Sequence, residues 1–152
     1  LSETSPVASF NFLDRPKKAG SIGLPLHFTE MRLVDDKGEV VKGVGSPGEI
    51  QVRGHNVMKG YYRKPKETAE AITSDGWFKT GDVGTQDEDG YYFIVDRKKD
   101  MIIRGGFNVY PREVEEVLYK HEAVAEAAVV GIHDEKYGEE VRAVVALKPG
   151  AA

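Results

Sequence analysis

The 152-residue chain contains no cysteine, which excludes a thiol nucleophile, a disulfide framework and a cysteine-ligated zinc. No apolar run is long enough to span a bilayer and no signal-peptide pattern is visible, so the cytoplasm is the expected compartment. An excess of positive charge is missing too: 21 Lys and Arg stand against 25 Asp and Glu, for a net charge of −4. Nucleic acid is therefore not an expected partner, because phosphate binding needs a basic field. The four histidines, His27, His55, His121 and His133, are scattered without metal-ligand spacing. Neither the Walker spacing nor the Gly-x-Gly-x-x-Gly dinucleotide form occurs around Gly105-Gly106.

What is present is a soluble-type composition, 40% hydrophobic and 30% charged. Residues 1–27 carry three prolines and two glycines and read as loops around short extended pieces. Residues 31–34 and 39–41, separated by Asp35-Asp36-Lys37-Gly38, predict a β-hairpin. The alternation over 48–54 predicts a half-buried strand, and residues 65–72 a short helix opened by Pro65. A strand at 91–95 follows the Asp87-Glu88-Asp89-Gly90 turn. Trp77, Phe78, Tyr91, Tyr92 and Phe93 read as core, since the acidic balance argues against a platform for stacking bases.

After residue 100 the pattern changes. A short strand at 101–103 is broken by Gly105-Gly106, which we read as a tight connection into a helix beginning at Pro111. That helix is expected to bury Val114, Val117 and Leu118, with Glu113, Glu115 and Glu116 elsewhere around it. Two strands, 123–132 and 141–147, are joined by a polar loop at 133–139. The expected fold class is α+β: a mainly β portion over 1–95, a hinge at 96–100 and a small α+β module over 101–152.

Two compact polar signatures carry the chemistry, Thr80-Gly81-Asp82 and Asp96-Arg97-Lys98-Lys99-Asp100. A carboxylate such as Asp82 accepts hydrogen bonds from vicinal hydroxyls, and an arginine such as Arg97 supplies fixed donors to hydroxyl or phosphate oxygens. Read alone, Thr-Gly-Asp is common and equally a turn aspartate. The ordered set is what resembles a family. Leu1-Ser2-Glu3-Thr4 is similar to the end of the Tyr-Gly-x-Thr/Ser-Glu motif of the adenylate-forming (AMP-binding) acyl-CoA synthetase superfamily. Thr80-Gly81-Asp82 is similar to its ribose motif, and 96–100 to its hinge motif. Gly105-Gly106-Phe107-Asn108-Val109-Tyr110-Pro111 resembles the loop opening its mobile C-terminal domain.

The resemblance implies a large domain ending in a distorted barrel-like β subdomain, followed by a small mobile α+β domain. It implies activation of a carboxylic acid by ATP, then transfer to CoA, in the fatty-acyl branch; aryl- and amino-acid-activating branches stay open. By position, Ser2 would contact the adenylate phosphate and Glu3 would hold Mg2+. Asp82 and Arg97 would bind the ribose hydroxyls of ATP or AMP, and Lys99 would sit at the hinge. Gly106 would let the pantetheine arm of CoA pass. The family's phosphate loop and final catalytic lysine have no counterpart in these residues. A fragment inactive by itself is therefore expected, with self-association through exposed apolar surface. A non-catalytic module binding AMP or a protein is the alternative from another class.

Overall fold

The computed structural model describes residues 1–150 and divides into two compact units, Leu1–Ile94 and Val95–Ala152. In the first unit a two-residue strand β1 (Ser9–Phe10) leads to β2 (Ser21–Pro25) and β3 (Thr29–Val34). Then come β4 (Gly48–Gly54), helix α1 (Pro65–Ala71), β5 (Phe78–Gln86) and β6 (Tyr92–Arg97), the last running across the division. They form one sheet in the order β1-β2-β6-β5-β4-β3. Register shifts in β2–β6 and β4–β5 mark irregularities that bend strands, and the sheet curls into a half-barrel. The inner face buries Leu33, Ile50, Val52 and Tyr92, with Met31, Ile22 and Ile94 packed against them. Each such aliphatic contributes about 1.5–3 kcal/mol by leaving water. The Tyr92 hydroxyl keeps a partner there, donating to the Met31 carbonyl at 2.8 Å.

The second unit holds β7 (Ile102–Arg104), β8 (Phe107–Val109), α2 (Pro111–Leu118), β9 (Val124–Asp134) and β10 (Gly138–Leu147). Its antiparallel sheet runs β8-β7-β10-β9. Ile102, Val124 and Val129 form its buried centre, and Pro111 is buried at the start of α2. The class is α+β, as the sequence pattern predicts.

Four local expectations are corrected. The 31–41 hairpin is reduced to a short return on the edge of β3 that β4 leaves free: Val40 bridges Val34, and the Val41 amide donates to the Leu33 carbonyl at 2.9 Å. The whole of β5 escapes the pattern, since Gly81, Asp82 and Gly84 are poor strand formers in isolation. Gly105-Gly106 does not connect a strand to a helix: both have positive φ, 57° and 86°, and they turn β7 back into β8 as a hairpin. Finally, Val117 lies 63% exposed. The face of α2 nearest the sheet carries Pro111, Val114, Glu115 and Leu118, none of them exposed, and the Glu115 carboxylate accepts the Val129 amide hydrogen at 2.8 Å.

Candidate functional site

In the first unit, β4 and β5 part where the ribose-type motif falls. The Thr80 hydroxyl donates to the Ile50 carbonyl at 2.7 Å, and the Asp82 amide donates back to Thr80 Oγ1 at 3.1 Å. The Gly81 amide reaches Glu49 Oε1 at 3.3 Å, and Gly81 itself sits at φ 75°, a conformation few other residues take without strain. The result stations Asp82 on the wall of a cleft of roughly 310 Å³. Thr80, Thr4, Ser9, Met31 and Ile94 contribute to the same walls. A carboxylate at an otherwise largely apolar wall is a directional acceptor for hydroxyl groups.

Thr4, entirely buried, anchors the first residues. Its hydroxyl lies 3.1 Å from the carbonyls of both Leu1 and Pro6. Ser2, Glu3 and Thr4 make one 3-10 turn in which Ser2 is exposed and Glu3 half-buried. Glu3 does not line the cleft beside Asp82. Its carbonyl accepts the Met58 amide hydrogen at 2.8 Å, and its carboxylate accepts the Tyr61 phenol at 3.1 Å. Tyr61 was not among the expected functional residues, although the Gly60-Tyr61 pair so soon after a strand was a usable signal.

The second unit contains Arg97, exposed at the end of β6, and Lys99, exposed in the 3-10 turn Lys98–Asp100. Asp96 organises this turn. One carboxylate oxygen accepts the Arg97 amide at 2.7 Å and the other the Arg112 amide at 3.0 Å. Arg112 is in the first turn of α2, whose N-cap, Tyr110, offers no side-chain acceptor, so Asp96 supplies the missing one from a distance in sequence. Lys99, Asp96 and Asp100 share a polar cleft of roughly 410 Å³ with Glu115 and Glu139. Glu139 accepts the Ile103 amide at 2.7 Å. Asp96, Glu115 and Glu139 serve backbone donors, and among the described residues no group of three or more ligating side chains is arranged to hold a metal ion.

Gly106 occupies the hairpin tip between β7 and β8. A methyl group there would meet no atom within 4 Å, so within this chain the glycine answers a backbone need and not local crowding. Gly105, beside it, is fixed from the β9–β10 turn: its amide donates to the Tyr137 carbonyl at 2.9 Å. The Arg104 guanidinium lies 4.3 Å from the Tyr137 ring centre and pairs with Glu140 at 2.5 Å. That partner, helped by the Val141 amide, holds the Glu140 carboxyl below its ordinary range. The sequence marked the glycines of this tip but not the Arg104–Tyr137–Glu140 clamp that seats it.

A family model described as AMP-binding enzyme matches residues 1–62, and one described as AMP-binding enzyme C-terminal domain matches 113–152. A long-chain-fatty-acid–CoA ligase of Bacillus subtilis is 51% identical over 151 residues, covering 99% of this chain and 27% of that protein. A mitochondrial medium-chain acyl-CoA ligase of Rattus norvegicus is 45% identical over 152 residues, covering 98% and 25%. The chain thus spans about a quarter of the length of the curated relatives it matches. Among solved structures, ATP-bound MatB from Rhodopseudomonas palustris superposes with a TM-score of 0.91 at 40% identity, over 99% of this chain and 30% of that one. The o-succinylbenzoate CoA synthetase of Bacillus subtilis, in complex with an acyl-adenylate intermediate, gives 0.78 at 42% identity, over 89% and 27%.

Proposed function

The chain belongs to the AMP-binding enzyme family, and from that footing we propose that it forms part of an ATP-dependent acid–CoA ligase acting on a fatty acid. The observation that carries the substrate class is near 50% identity along almost its whole length to long-chain-fatty-acid–CoA ligases. The reaction has two halves. A carboxylate oxygen attacks the α-phosphorus of ATP, forming an acyl-adenylate and releasing pyrophosphate; the CoA thiol then attacks the acyl carbon, releasing AMP and leaving a thioester.

In this reading Asp82 accepts the ribose hydroxyls at the cleft wall, and Arg97 donates to the same sugar. Ser2 contacts the phosphate, Lys99 marks the hinge between portions 1–95 and 101–152, and Gly106 admits the pantetheine arm. A bound Mg2+ would neutralise charge on the phosphates. Glu3 would supply one carboxylate to such an ion, as magnesium sites beside nucleotides take one or two carboxylates and fill the rest with phosphate and water. Positioning and charge stabilisation carry this chemistry without a covalent enzyme nucleophile, in keeping with a chain free of cysteine. We place the protein in the cytoplasm; no described helix is long and apolar enough to cross a membrane. Exposed Leu13, Phe28 and Phe107 favour self-association of the isolated chain.

The test is Asp82→Ala in the polypeptide that carries this segment. Loss of one charge-assisted acceptor, worth about 1.5–3 kcal/mol, should lower kcat/KM for ATP roughly tenfold to a hundredfold while the fold, followed by circular dichroism, is kept. An unchanged kcat/KM would overturn the nucleotide reading.

A further inference from the structure

A line of hydrogen bonds runs from helix α1 to the Glu3 carboxylate. The Thr68 hydroxyl, in α1, donates to the Lys64 carbonyl at 2.7 Å and accepts the Tyr61 amide hydrogen at 2.9 Å. One side-chain oxygen thereby closes residues 61–64 against the helix. A methyl group on Gly60 would come within 2.7 Å of Thr68 Cγ2, so the chain passes the threonine as closely as a glycine allows. With its main chain held this way, Tyr61 reaches Glu3 Oε1 through its phenol at 3.1 Å. The Glu3 main chain is fixed independently, by the Met58 amide on its carbonyl at 2.8 Å and by the fully buried Thr4 that follows it. Rotation of the Glu3 side chain is the freedom left, and among the described residues the carboxylate's one hydrogen-bond partner is the Tyr61 hydroxyl.

We propose that Tyr61, and Thr68 through it, are positioning residues that hold the Glu3 carboxylate by Oε1 and leave Oε2 for the cation accompanying the nucleotide. The inference rests on the ligase reading, in which Glu3 takes Mg2+. A half-exposed glutamate samples several rotamers, and giving them up when a cation binds costs free energy. A hydrogen bond made beforehand removes part of that cost and orients the ligating group. Magnesium beside a nucleotide takes only one or two carboxylates, so the placement of each one matters. The donor is also neutral. A lysine in its place would orient the carboxylate equally well but would repel the cation. If Tyr61 and Thr68 merely closed the loop before α1, their loss would change stability and leave the cation dependence as it was.

The experiment uses the polypeptide that carries this segment and reads two quantities. One is the Mg2+ concentration at half-maximal activity, set beside kcat at saturating Mg2+. The other is the affinity for Mn2+–ATP without acid substrate, followed by water-proton relaxation. Tyr61→Phe should raise the half-saturating Mg2+ roughly tenfold, the low end of the loss when a group orienting a metal ligand is removed. Mn2+–ATP affinity should weaken by the same factor, and kcat should fall far less. Thr68→Val keeps the shape without the hydroxyl and should shift both quantities by about threefold, the scale of one hydrogen bond. Thr68→Ser should restore them. Tyr62→Phe, at an 82% exposed neighbour, should move neither. Glu3→Gln separates this proposal from the reading beneath it. A strong shift in Glu3→Gln with none in Tyr61→Phe would overturn the positioning role and leave the ligase reading standing. No shift in either would mean that Glu3 does not hold the cation, and the proposal would fall with that assignment. A Thr68→Val shift that serine fails to restore would overturn the part given to Thr68.

Discussion

The Tyr61 phenol donates a hydrogen bond to the Glu3 carboxylate at 3.1 Å, while the Met58 amide holds the Glu3 carbonyl at 2.8 Å. One short segment after β4 therefore orients both the main chain and the side chain of the residue proposed to hold magnesium. Partial burial, then the hydrogen bond and negative charge of Glu3, raise the Tyr61 pKa above the ordinary tyrosine value. Ultraviolet titration should show two phenols ionising late, Tyr61 and the buried Tyr92. Glu3→Gln should bring Tyr61 alone part of the way back, because its burial contribution survives. Tyr61→Phe should cost under about 1 kcal/mol, since the pair is exposed. A Tyr61 titration unaffected by Glu3→Gln would mean that the two groups do not meet in solution.

The loop before β2 is pinned to the β5–β6 turn by Lys18, whose ammonium reaches Asp87 at 2.5 Å and Asp89 at 2.6 Å. Tyr91 adds a hydrogen bond from its hydroxyl to the Pro16 carbonyl. The Lys18 bond, helped by the Tyr91 and Asp89 amides, holds the Asp87 carboxyl below the ordinary 3.8 against the opposing effect of desolvation. A depressed carboxyl pKa stabilises the fold above that value and loses its contribution as pH falls through the folded value. Asp87→Asn should therefore lower the urea midpoint at about pH 7, and the gap to wild type should be narrower at about pH 2. A gap of equal size at both pH values would assign the effect to the amide contacts alone.

Trp77 is the only tryptophan and lies 6% exposed, with the guanidinium groups of Arg32 and Arg53 at 4.1 and 4.6 Å from its ring centre. Those arginines are held in turn by Gln51 and Glu30 across the β3–β4 ladder. Trp77→Ala should destabilise the chain by about 3–5 kcal/mol through the cavity and the lost cation–ring contacts. Urea unfolding followed by far-ultraviolet circular dichroism would measure it. A loss under about 1 kcal/mol would show that the ring packs loosely in solution.

Local pattern and distant partners divide what could be read in advance. β4 and α1 were legible because alternation, a proline at the first helical turn and bounding glycines all act within a few residues. β5 was not, because Gly84 answers to the strands packed on it and Gly81 to its own positive φ. A methyl group on Gly84 would come within 2.6 Å of the Phe93 carbonyl and 2.7 Å of Ile50 Cδ1. Gln51, a polar position of the alternating strand β4, is nonetheless buried, and Arg32 donates two hydrogen bonds to its side-chain oxygen. Asp82 was legible as a motif residue, while the Thr80–Ile50 bond that shapes its strand was not. Glu115 was placed away from the apolar face of α2, and only β9 brings the Val129 amide in front of it.

Gly106 separates two explanations of the Gly105-Gly106 motif by chemistry that can be varied. Its φ of 86° favours glycine for backbone reasons, and no neighbour in this chain fills the space of a side chain. Alanine would introduce strain of about 1 kcal/mol or more in this left-handed region and confuse the two. Asparagine tolerates that region far better, so Gly106→Asn should fold with little loss of stability while placing a side chain at the hairpin tip. If the tip admits the pantetheine arm of the proposed ligase, the polypeptide carrying this variant should still release pyrophosphate with its acid substrate. Thioester formation from the acyl-adenylate should fall at least tenfold, about 1.4 kcal/mol in the second barrier. Equal loss in both half-reactions would instead mean that Gly106 matters only to the hairpin, and the clamp of Arg104, Tyr137 and Glu140 would then serve the fold alone.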